Sequence, residues 1–540
     1  MATKVNFNGK LISLPGVYAD TKSGITNPPA DLDFGGVLVI DTTNTIYSGG
    51  AGVDGTHSSG QESLHSFDNI VSLRDYIRGG ILWDLAPALF RPFGSGFPGI
   101  SQLHYIRPFT TTAAEVSLVF ENGTYKISTR HEGTCGNGVR VTGNLVNGFE
   151  VILEKGVIDP LKFRLRFKRG TFTGNDQNGR PYNSVSETDS IPTTIAVTPE
   201  LSTHEELLKW FEKNFEFNNN FVLVQATGAA GSITSVDLTS LSVGTLFAGG
   251  TQTFSPENLQ LALNAVKNLG YTHVFSTDYG ANSLSLSNMS ILLHLETEAK
   301  YQKYLIVAGY PDKDGFENSK TIAKTFNSER VIVVHGAIKE TDNTIGLGFR
   351  EKTALHKAAY VLGRTLGMQP QTPPTFKALG YAAEVHKMDD TELESALDSG
   401  LLTTHFDTEL QSFIITQGVN TLQDNSEVIN GSGQSHLWSL NRIEAQLNKE
   451  IEVNAKIQLL GNQSQGPNRN TLSKEVVEEW VKNYLKRKTA KQTEDNLIIG
   501  FRNVIATTKG DGIYVSYEFE PNLEINKMFV TGLIIDPNLL

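Results

Sequence analysis

The sequence predicts a multi-domain protein of mixed α/β (α+β) class. It should have a mixed-sheet core built from N- and C-terminal parts, an inserted β-rich outer domain, and an extended arm at each terminus. Helical and strand patterns alternate after residue 249, strand and turn patterns dominate residues 103–243, and a period-two apolar pattern lies near the C-terminus. The predicted parts are an N-terminal arm (1–25), the first part of the core (26–106), the inserted domain (107–244), the second part of the core (245–510) and a C-terminal β arm (511–540).

The N-terminal arm contains one distinctive segment, formed by Leu14, Pro15, Gly16, Val17 and Tyr18. Pro15 restricts φ and Gly16 has no Cβ, so the pair predicts a sharp bend before the apolar residues that follow. A strand at a chain end has an unpaired edge, which can add to a sheet of another chain. We therefore expect these five residues to contact a neighbouring copy. Pairing within the chain's own sheet is the alternative.

The first part of the core is predicted to hold a buried strand and a helical stretch. Residues 35–41 contain a short apolar run, which is suited to a buried strand. In residues 67–90, Ile70, Leu73, Ile77 and Ile81 recur at helical spacing.

The inserted domain should consist mostly of strands, with one helix around Leu207, Leu208 and Trp210. Strand patterns occur at 117–120, 148–153, 162–167 and 221–224. In residues 162–169 apolar and basic residues alternate, which predicts a strand with a solvated basic face.

The second part of the core should alternate helices and strands around a sheet. Ser255 is a candidate N-cap with Pro256 at the first helical position, and Leu259, Leu263 and Val266 would pack that helix. Predicted strands are 273–276, 304–308 and 330–335; predicted helices are 286–299, 316–326, a long helix from 436, and 476–485.

The C-terminal arm should contain two strands. Val515, Tyr517 and Phe519 alternate with polar residues, Pro521 breaks the run, and a second apolar pattern follows. We expect this arm to contact a neighbouring copy through Val515, Tyr517, Phe519, Ile525, Phe529, Val530 and Leu533.

Composition excludes several classes of protein. The net charge of −12 argues against a general nucleic-acid binder. No run approaches eighteen apolar residues, so no transmembrane helix is expected, and the N-terminal residues do not resemble a signal peptide, so the chain should stay in the compartment where it is made. The one cysteine, Cys135, excludes an internal disulfide and fits a reducing cytosol.

No motif predicts a catalytic residue, a cofactor or a metal. Residues 94–99 match G-x-G-x-x-G, but no helix pattern follows, so we interpret them as a turn. His335 ends an apolar strand, where ligands often bind in open α/β sheets. An intracellular α/β enzyme with a pocket near His335 and Asp312 is therefore the alternative from a different class. The simpler interpretation is a histidine bonded to a nearby carbonyl.

Four stretches, in order, resemble one family. These are the Pro-Gly-Val-Tyr of residues 15–18, the Glu-Gly-Thr-Cys-Gly-Asn-Gly of 132–138, the Phe-Ala-Gly-Gly of 247–250, and Leu410 to Phe413 leading to the Gly-Val-Asn-Thr of 418–421. Together they resemble the contractile bacteriophage tail sheath proteins. Glu132 and Cys135 depart from that family, which favours proline and tryptophan there.

The resemblance implies a structural subunit that polymerises helically around a tail tube. Contraction of the polymer would drive the tube through the bacterial envelope for genome ejection. The implied partners are other copies of the chain, the tail tube protein, and baseplate and tail terminator proteins, with no direct nucleic-acid contact and no membrane insertion. The implied location is the virion tail, assembled in the host cytoplasm. The sheath of a tailocin or other contractile injection system shares these mechanics; a tail adhesin or baseplate component would favour repeats, which the sequence lacks.

Overall fold

The computed structural model describes much of the chain, and its contacts divide the chain into two compact units. The smaller unit comprises residues 1–31 and 450–522, and the larger unit comprises 32–449 and 523–540. The described residues are 5–7, 10–12, 35–40, 46–47, 65–79, 81–106, 109–132, 136–141, 144–170, 173–175, 181–183, 193–215, 221–254, 257, 259, 263, 266, 269, 271–277, 295, 299, 304–310, 315–342, 348–422, 436–458, 473–489, 497–509 and 512–521.

The described strands and helices are numbered in chain order. The strands are β1 (Val5–Phe7), β2 (Lys10–Ile12), β3 (Gly36–Ile40), β4 (Ile46–Tyr47), β5 (His65–Phe67), β6 (Ile77–Gly79), β7 (Pro92–Ser95), β8 (Gln102–Ile106), β9 (Phe109–Phe120), β10 (Gly123–Glu132), β11 (Val139–Val141), β12 (Asn144–Asn147), β13 (Phe149–Lys155), β14 (Phe163–Arg169), β15 (Thr173–Asn175), β16 (Pro181–Asn183), β17 (Thr193–Val197), β18 (Phe221–Thr227), β19 (Thr245–Leu246), β20 (Thr251–Phe254), β21 (His273–Ser276), β22 (Leu305–Tyr310), β23 (Val331–His335), β24 (Ile338–Asp342), β25 (Gly348–Lys352), β26 (Ala378–Leu379), β27 (Ala383–Glu384), β28 (Leu401–Leu402), β29 (Thr404–Asp407), β30 (Ser412–Ile415), β31 (Ile498–Lys509) and β32 (Gly512–Pro521). The helices are α1 (Ile70–Tyr76), α2 (Ile81–Phe90), α3 (His204–Phe215), α4 (Ser235–Leu241), α5 (Phe316–Phe326), α6 (Ala354–Leu366), α7 (Asp390–Asp398), α8 (Trp438–Gln458) and α9 (Lys474–Lys488).

The larger unit is organised around a seven-stranded sheet of order β28-β23-β22-β21-β3-β8-β5. Its neighbours pair in parallel, except that β5 runs antiparallel to β8. Alternate residues of β3 enter different apolar clusters, Val37 and Val39 on one face and Leu38 and Ile40 on the other. The apolar run therefore belongs to a buried strand, as predicted, and the structure shows that this strand is buried on both faces.

Helices α5 and α8 lie where their sequence patterns predict them, no pattern had indicated α6, and the helix predicted at 286–299 lies almost entirely outside the described residues. Helix α5 matches the predicted 316–326. Leu259, Leu263 and Val266 are helical and buried as expected, whereas Ser255 and Pro256 lie outside the described residues. The prediction of helical spacing throughout 67–90 was wrong, because β6 separates α1 from α2. Gly79 and Gly80 follow one another at that point, and glycine weakens a helix interior.

Helices α2 and α6 approach closely at Gly363. A Cβ built there would lie 2.5 Å from the carbonyl oxygens of both Ala88 and Leu89. We expect Gly363→Ala to lower the free energy of unfolding by about 3 kcal/mol through overpacking. Helix propensity alone would make alanine more stable than glycine by about 1 kcal/mol. Whether the substitution raises or lowers the free energy of unfolding therefore tests the close contact between α2 and α6. Chemical denaturation measures it.

The control for this prediction is Gly96→Ala. No heavy atom lies within 4 Å of a Cβ at Gly96, so that variant should match the unsubstituted protein. Equal stability of the Gly363→Ala variant would contradict the close helix crossing.

The inserted region contains two four-stranded antiparallel sheets, β18-β10-β9-β20 and β17-β14-β13-β19, around one apolar core with α3 and α4. Pairing continues to Phe254, which lies opposite Phe109. The domain limits at 107 and 244 stay a prediction.

The predicted alternating strand is present as β14, with its apolar side chains buried and its basic side chains partly exposed and paired with acids. Arg164 and Arg166 both contact Glu154 on β13, at 2.9 Å each. All three side chains are about three-quarters buried. The antiparallel register places these opposite charges across the strand pair, so Arg164 and Arg166 are each neutralised by a carboxylate of the same sheet.

The smaller unit holds α9, the end of α8 and the hairpin β31–β32. Trp480, Val481 and Tyr484 on α9 are buried as their spacing predicts. The Tyr484 hydroxyl donates to Glu450 Oε2 at 2.8 Å, and Lys488 Nζ lies 3.0 Å from the same oxygen, which ties α9 to α8. Within the predicted N-terminal arm, β1 and β2 pair antiparallel.

Candidate functional site

The hairpin β31–β32 lies where the sequence predicted an inter-subunit contact. Val515 lies opposite Ala506 and Phe519 opposite Phe501, so the predicted period-two strand is present and pairs within its own chain. Sequence reasoning missed β31 as a partner strand. The signal was available, because the sequence Lys-Gly-Asp-Gly at 509–512 between two strand patterns is typical of a hairpin connection.

Helix α9 packs against the hairpin. Val504 and Ala506 are buried, and Val515, Tyr517 and Phe519 are half-buried. The exposed large hydrophobic side chains of the described hairpin residues are Ile499, Ile505 and Tyr514.

The two outer edges of the hairpin differ. Strand β31 carries extra residues at two β-bulges, between Ile498 and Gly500 and between Arg502 and Ile505, whereas β32 has none. Asn503, in the second bulge, has a φ of 53°. Bulges disturb the regular spacing of backbone donors and acceptors and so protect an edge. The regular edge of β32 is thus the better acceptor for another strand, and within the described residues no third strand joins this sheet.

The remaining predicted contact residues are not described. Leu14, Pro15, Gly16, Val17 and Tyr18, and likewise Ile525, Phe529, Val530 and Leu533, lie outside the described residues. Their contacts with another copy stay a prediction, as do those of Val515, Tyr517 and Phe519.

Two of the glycine-rich stretches singled out in the sequence contact each other. The Asn137 amide donates to the Gly250 carbonyl at 2.7 Å and accepts from the Gly250 N–H at 2.8 Å. Gly138 N–H donates to the Phe247 carbonyl at 2.8 Å. The two stretches are therefore hydrogen-bonded to each other just before β11 and β20 begin. Spacing alone could not reveal a contact between residues more than a hundred positions apart.

The third stretch, Gly418 to Thr421, is also fixed by hydrogen bonds. The Thr421 N–H donates to Val331 at 2.9 Å, and the Trp438 N–H donates to Gly418 at 2.8 Å. Asn420 is fully buried, and its amide donates to the Glu329 carbonyl at 3.3 Å. The stretch thus connects β23 to α8 through backbone groups.

His335, the candidate centre of an enzyme pocket, is 1% exposed. Its Nδ1 lies 2.7 Å from Ser319 Oγ, and its ring meets that of Phe316 edge-on at 5.6 Å. Burial lowers the pKa of His335 to about 3, with Lys357 and His386 adding to the effect. A neutral, covered imidazole cannot reach a ligand or carry a proton without the fold opening. Asp312 lies outside the described residues.

The glycine motif at 94–99, metal ligands and membrane-spanning helices are the remaining features to consider. Residues 94–99 end β7 and lead to β8, with no helix between them, so the turn interpretation is confirmed. In the described part of the chain no group of three or more His, Cys, Asp or Glu side chains could hold a metal ion. No described helix combines the length and apolarity needed to cross a bilayer.

The buried histidines predict a loss of stability in acid. Burial, with a contribution from Arg442, also holds the pKa of His273 well below its usual value. The unfolded chain binds protons at these imidazoles below about pH 6.5, whereas the folded chain does not. As the pH decreases below about 6.5, the free energy of unfolding therefore decreases by about 1.4 kcal/mol per pH unit for each histidine. This decrease continues until the pH reaches the pKa of that histidine in the folded state.

Denaturant midpoints at pH 7.5 and 5 test this dependence. A His335→Gln variant removes one of the groups, so its midpoint should change less between the two pH values. Identical pH dependence in both proteins would contradict a neutral, buried His335.

Comparisons with known proteins support one fold. No protein-family model matches the sequence, and no curated protein matches it. The sheath tail protein of Desulfitobacterium hafniense matches with a TM-score of 0.54 and 15% identity, over 95% of this chain and 99% of that one. The sheath tail protein of Listeria innocua matches with a TM-score of 0.51 and 13% identity, over 94% and 96%. The chain has the fold of these proteins, and the predicted mixed α/β multi-domain class is confirmed.

Proposed function

We propose that this chain is the structural subunit of a contractile tail sheath. The observation that carries the proposal is a fold shared with two sheath tail proteins over nearly the full length of all three chains. Four short stretches resemble the same family independently of the fold, and two of them meet in space at Asn137 and Gly250.

Assembly would proceed by strand addition at the regular edge of β32. An extended arm from a neighbouring copy, supplied by residues 14–18 or 523–533, would pair with this edge through main-chain hydrogen bonds. Val515, Tyr517 and Phe519 alternate along the accepting strand, so the same strand offers both backbone groups and side-chain contacts. Because donor and acceptor are different surfaces, the contact is head-to-tail and generates a helical polymer.

The finer steps follow from this geometry. The polymer would surround a tail tube and associate with baseplate and tail terminator proteins. Rigid subunits joined by extended arms can rotate without losing their connections, which contraction requires. The energy would be stored in subunit packing at assembly, so the mechanism needs no nucleotide. Contraction would drive the tube through the bacterial envelope for genome ejection, from a virion tail assembled in the host cytoplasm. A tailocin sheath would use the same contacts.

Negative-stain electron microscopy of the purified chain over a range of concentrations tests this proposal. We expect hollow tubes of uniform width above a critical concentration, because head-to-tail contacts of a single kind produce one lattice. A second experiment adds the cognate tail tube and baseplate, so that they can nucleate assembly. A chain that forms only closed rings or monomers, even with those partners, would contradict it.

A further inference from the structure

An arginine at the end of α6 is buried against the turn between β7 and β8 without an anion. Arg364 is 8% exposed, and its guanidinium carbon lies 4.4 Å from the centre of the Phe97 ring. Its Nε is buried, and no described residue accepts a hydrogen bond from that atom. Burial lowers the pKa of Arg364, and no described carboxylate offsets this effect. A cation removed from water without an anion costs free energy, so the isolated chain leaves this group incompletely satisfied.

The contact with Phe97 leaves the guanidinium able to bind a planar anion. Arginine carries its five N–H donors at the rim of a planar group, so an aromatic ring next to the central carbon does not use them. A carboxylate accepts two such donors side by side. Phe93 meets Phe97 edge-on at 5.3 Å, which helps to hold the ring in place. The chemistry of the group therefore favours a carboxylate as its missing partner.

The turn is fixed on one side and open on the other. A Cβ built at Gly367 would overlap the Pro98 carbonyl oxygen, so the turn packs closely on the end of α6. In contrast, no heavy atom lies within 4 Å of a Cβ at Gly96, and the neighbouring Phe97 is 41% exposed. We call Arg364, Phe97 and Gly96 the arginine site. A side chain of another molecule can approach it over Gly96.

The segments that form the arginine site contain no acidic residue. Neither 85–114 nor 352–383 contains Asp or Glu, although the chain has 58 such residues in 540. Asp84 directly precedes the first stretch and Glu384 directly follows the second, and both are buried in ion pairs with lysines. These segments therefore provide no carboxylate that could neutralise Arg364.

Two further cations lie on the same segments. Arg91, between α2 and β7, is exposed, and Lys377, just before β26, is half-buried. Within the described part of the chain neither has an ion-pair partner. Their segments contact each other, because the Gly380 N–H donates to the Pro92 carbonyl at 2.9 Å. This part of the fold is thus basic in a chain whose net charge is −12.

We propose that the arginine site binds a carboxylate side chain of a second copy in the assembled polymer. The chain has 58 acidic and 46 basic side chains, so a neighbouring copy has carboxylates without a cation of their own. A nine-tenths buried guanidinium admits a single side chain, whereas a membrane surface could not reach it. The inference rests on the proposed function, because a helical polymer supplies the second copy. Site and carboxylate are different surfaces, so the contact is head-to-tail.

Photocrosslinking from Gly96 identifies the chain that covers the site. Because Cys135 is the one cysteine, Cys135→Ser/Gly96→Cys carries a single thiol for a benzophenone maleimide. Polymer is assembled from equal amounts of this ¹⁵N-labelled variant and the ¹⁴N unsubstituted chain, then irradiated and digested. We expect mixed-isotope crosslinks to a segment that contains Asp or Glu. Crosslinks within one copy, to the tail tube, or no more frequent than in unassembled protein would overturn the proposal.

The acid nearest the crosslinked position then permits a double-mutant cycle. Replacing that acid by its amide should raise the critical concentration for polymerisation as Arg364→Gln does. The double variant should polymerise no worse than either single variant, because each substitution already removes the same contact. Independent, multiplying effects of the two substitutions would contradict a direct pair.

Substitution of Arg364 gives a separate readout. Arg364→Gln should raise the critical concentration about tenfold or more, because hydrogen bonds between a guanidinium and a carboxylate are lost. Arg364→Lys keeps the charge without the planar donors, so its effect should be smaller. Lys209→Gln is the matched control, since it removes the same charge from an exposed ion pair and should change nothing.

Denaturation of the unassembled chain distinguishes this contact from a purely structural role. Without an anion the buried guanidinium of the isolated chain is costly, so Arg364→Gln should not lower the denaturation midpoint. A cation that served only the dipole of α6 and the Phe97 ring would be missed in the isolated chain. A lower midpoint together with weaker assembly would therefore overturn the proposal.

The outcomes separate this inference from the function beneath it. If the unsubstituted chain never polymerises, even with tube and baseplate, both fail. If it forms tubes and Arg364→Gln has the same critical concentration, only the carboxylate contact fails. Citrate serves as the probe for a free carboxylate. If calorimetry shows citrate binding that Arg364→Gln abolishes while tube formation is unaffected, the site binds a free anion and the second-copy proposal is wrong.

Discussion

Deleting residues 523–540 is expected to leave a folded, unpolymerised protein. The deletion removes the second apolar segment of the C-terminal arm, including Ile525, Val530 and Leu533, and leaves β31 and β32 intact. An added strand of about six main-chain hydrogen bonds, each worth about 1 kcal/mol net, corresponds to about a 10⁴-fold change in association. Tubes should therefore disappear at every accessible concentration. Deleting residues 1–20 should have the same effect if the N-terminal arm is also donated.

Electron microscopy and sedimentation measure the loss of tubes, and circular dichroism confirms folding. A matched control is the full-length Ile525→Val/Val530→Ile variant, which keeps β-branched apolar residues and should assemble normally. Tubes formed by the truncated chain would rule out assembly through this arm.

Replacing Lys357 by methionine should destabilise the fold at least as much as Gly363→Ala does. Lys357 Nζ lies 2.7 Å from Glu384 Oε1, and the two side chains are 2% and 3% exposed. The Tyr381 hydroxyl donates to the same oxygen at 2.8 Å, and Thr404 Oγ1 is also bonded to it. Lys357→Met leaves a carboxylate buried without a cation, which costs about 3–5 kcal/mol. The chemical denaturation midpoint should fall accordingly.

A second substitution tests whether the unpaired charge causes this loss. Lys357→Met/Glu384→Gln removes the charge while keeping an acceptor for Tyr381, so it should recover part of the stability. Lys209→Met provides the matched control, since the Lys209 and Glu205 side chains are 71% and 76% exposed and solvent screens their ion pair, so this substitution should change stability little. Equal effects of the buried and exposed substitutions would contradict this account.

Much of the core could be predicted from local patterns. Strand β3 and helix α5 could each be predicted from the apolar pattern of a few residues. A strand buried on both faces is apolar at successive positions, whereas a helix buried on one face is apolar at every third or fourth position. The break at Gly79 was missed because the apolar residues on either side of it happen to keep helical spacing. There the conformational freedom of consecutive glycines outweighs the pattern.

Contacts between distant residues were beyond sequence reasoning. Strand β10 pairs with β18 nearly a hundred residues later, and no local pattern names that partner. The same holds for Lys357 and Glu384, each of which would be expected at a surface if taken alone. The candidate site could be predicted in part, because the alternation of apolar and polar residues at 515–519 is a local pattern. Its partner strand β31 and the difference between the two hairpin edges became visible only in the structure.

The pairing of Phe109 with Phe254 has a practical consequence. The chain enters and leaves the inserted region on adjacent antiparallel strands, whose facing Cα atoms lie about 5 Å apart. A foreign domain whose own termini lie side by side could therefore be grafted there, or a short turn could close the gap. The same geometry would let evolution exchange the segment between these two strands without changing the rest of the fold.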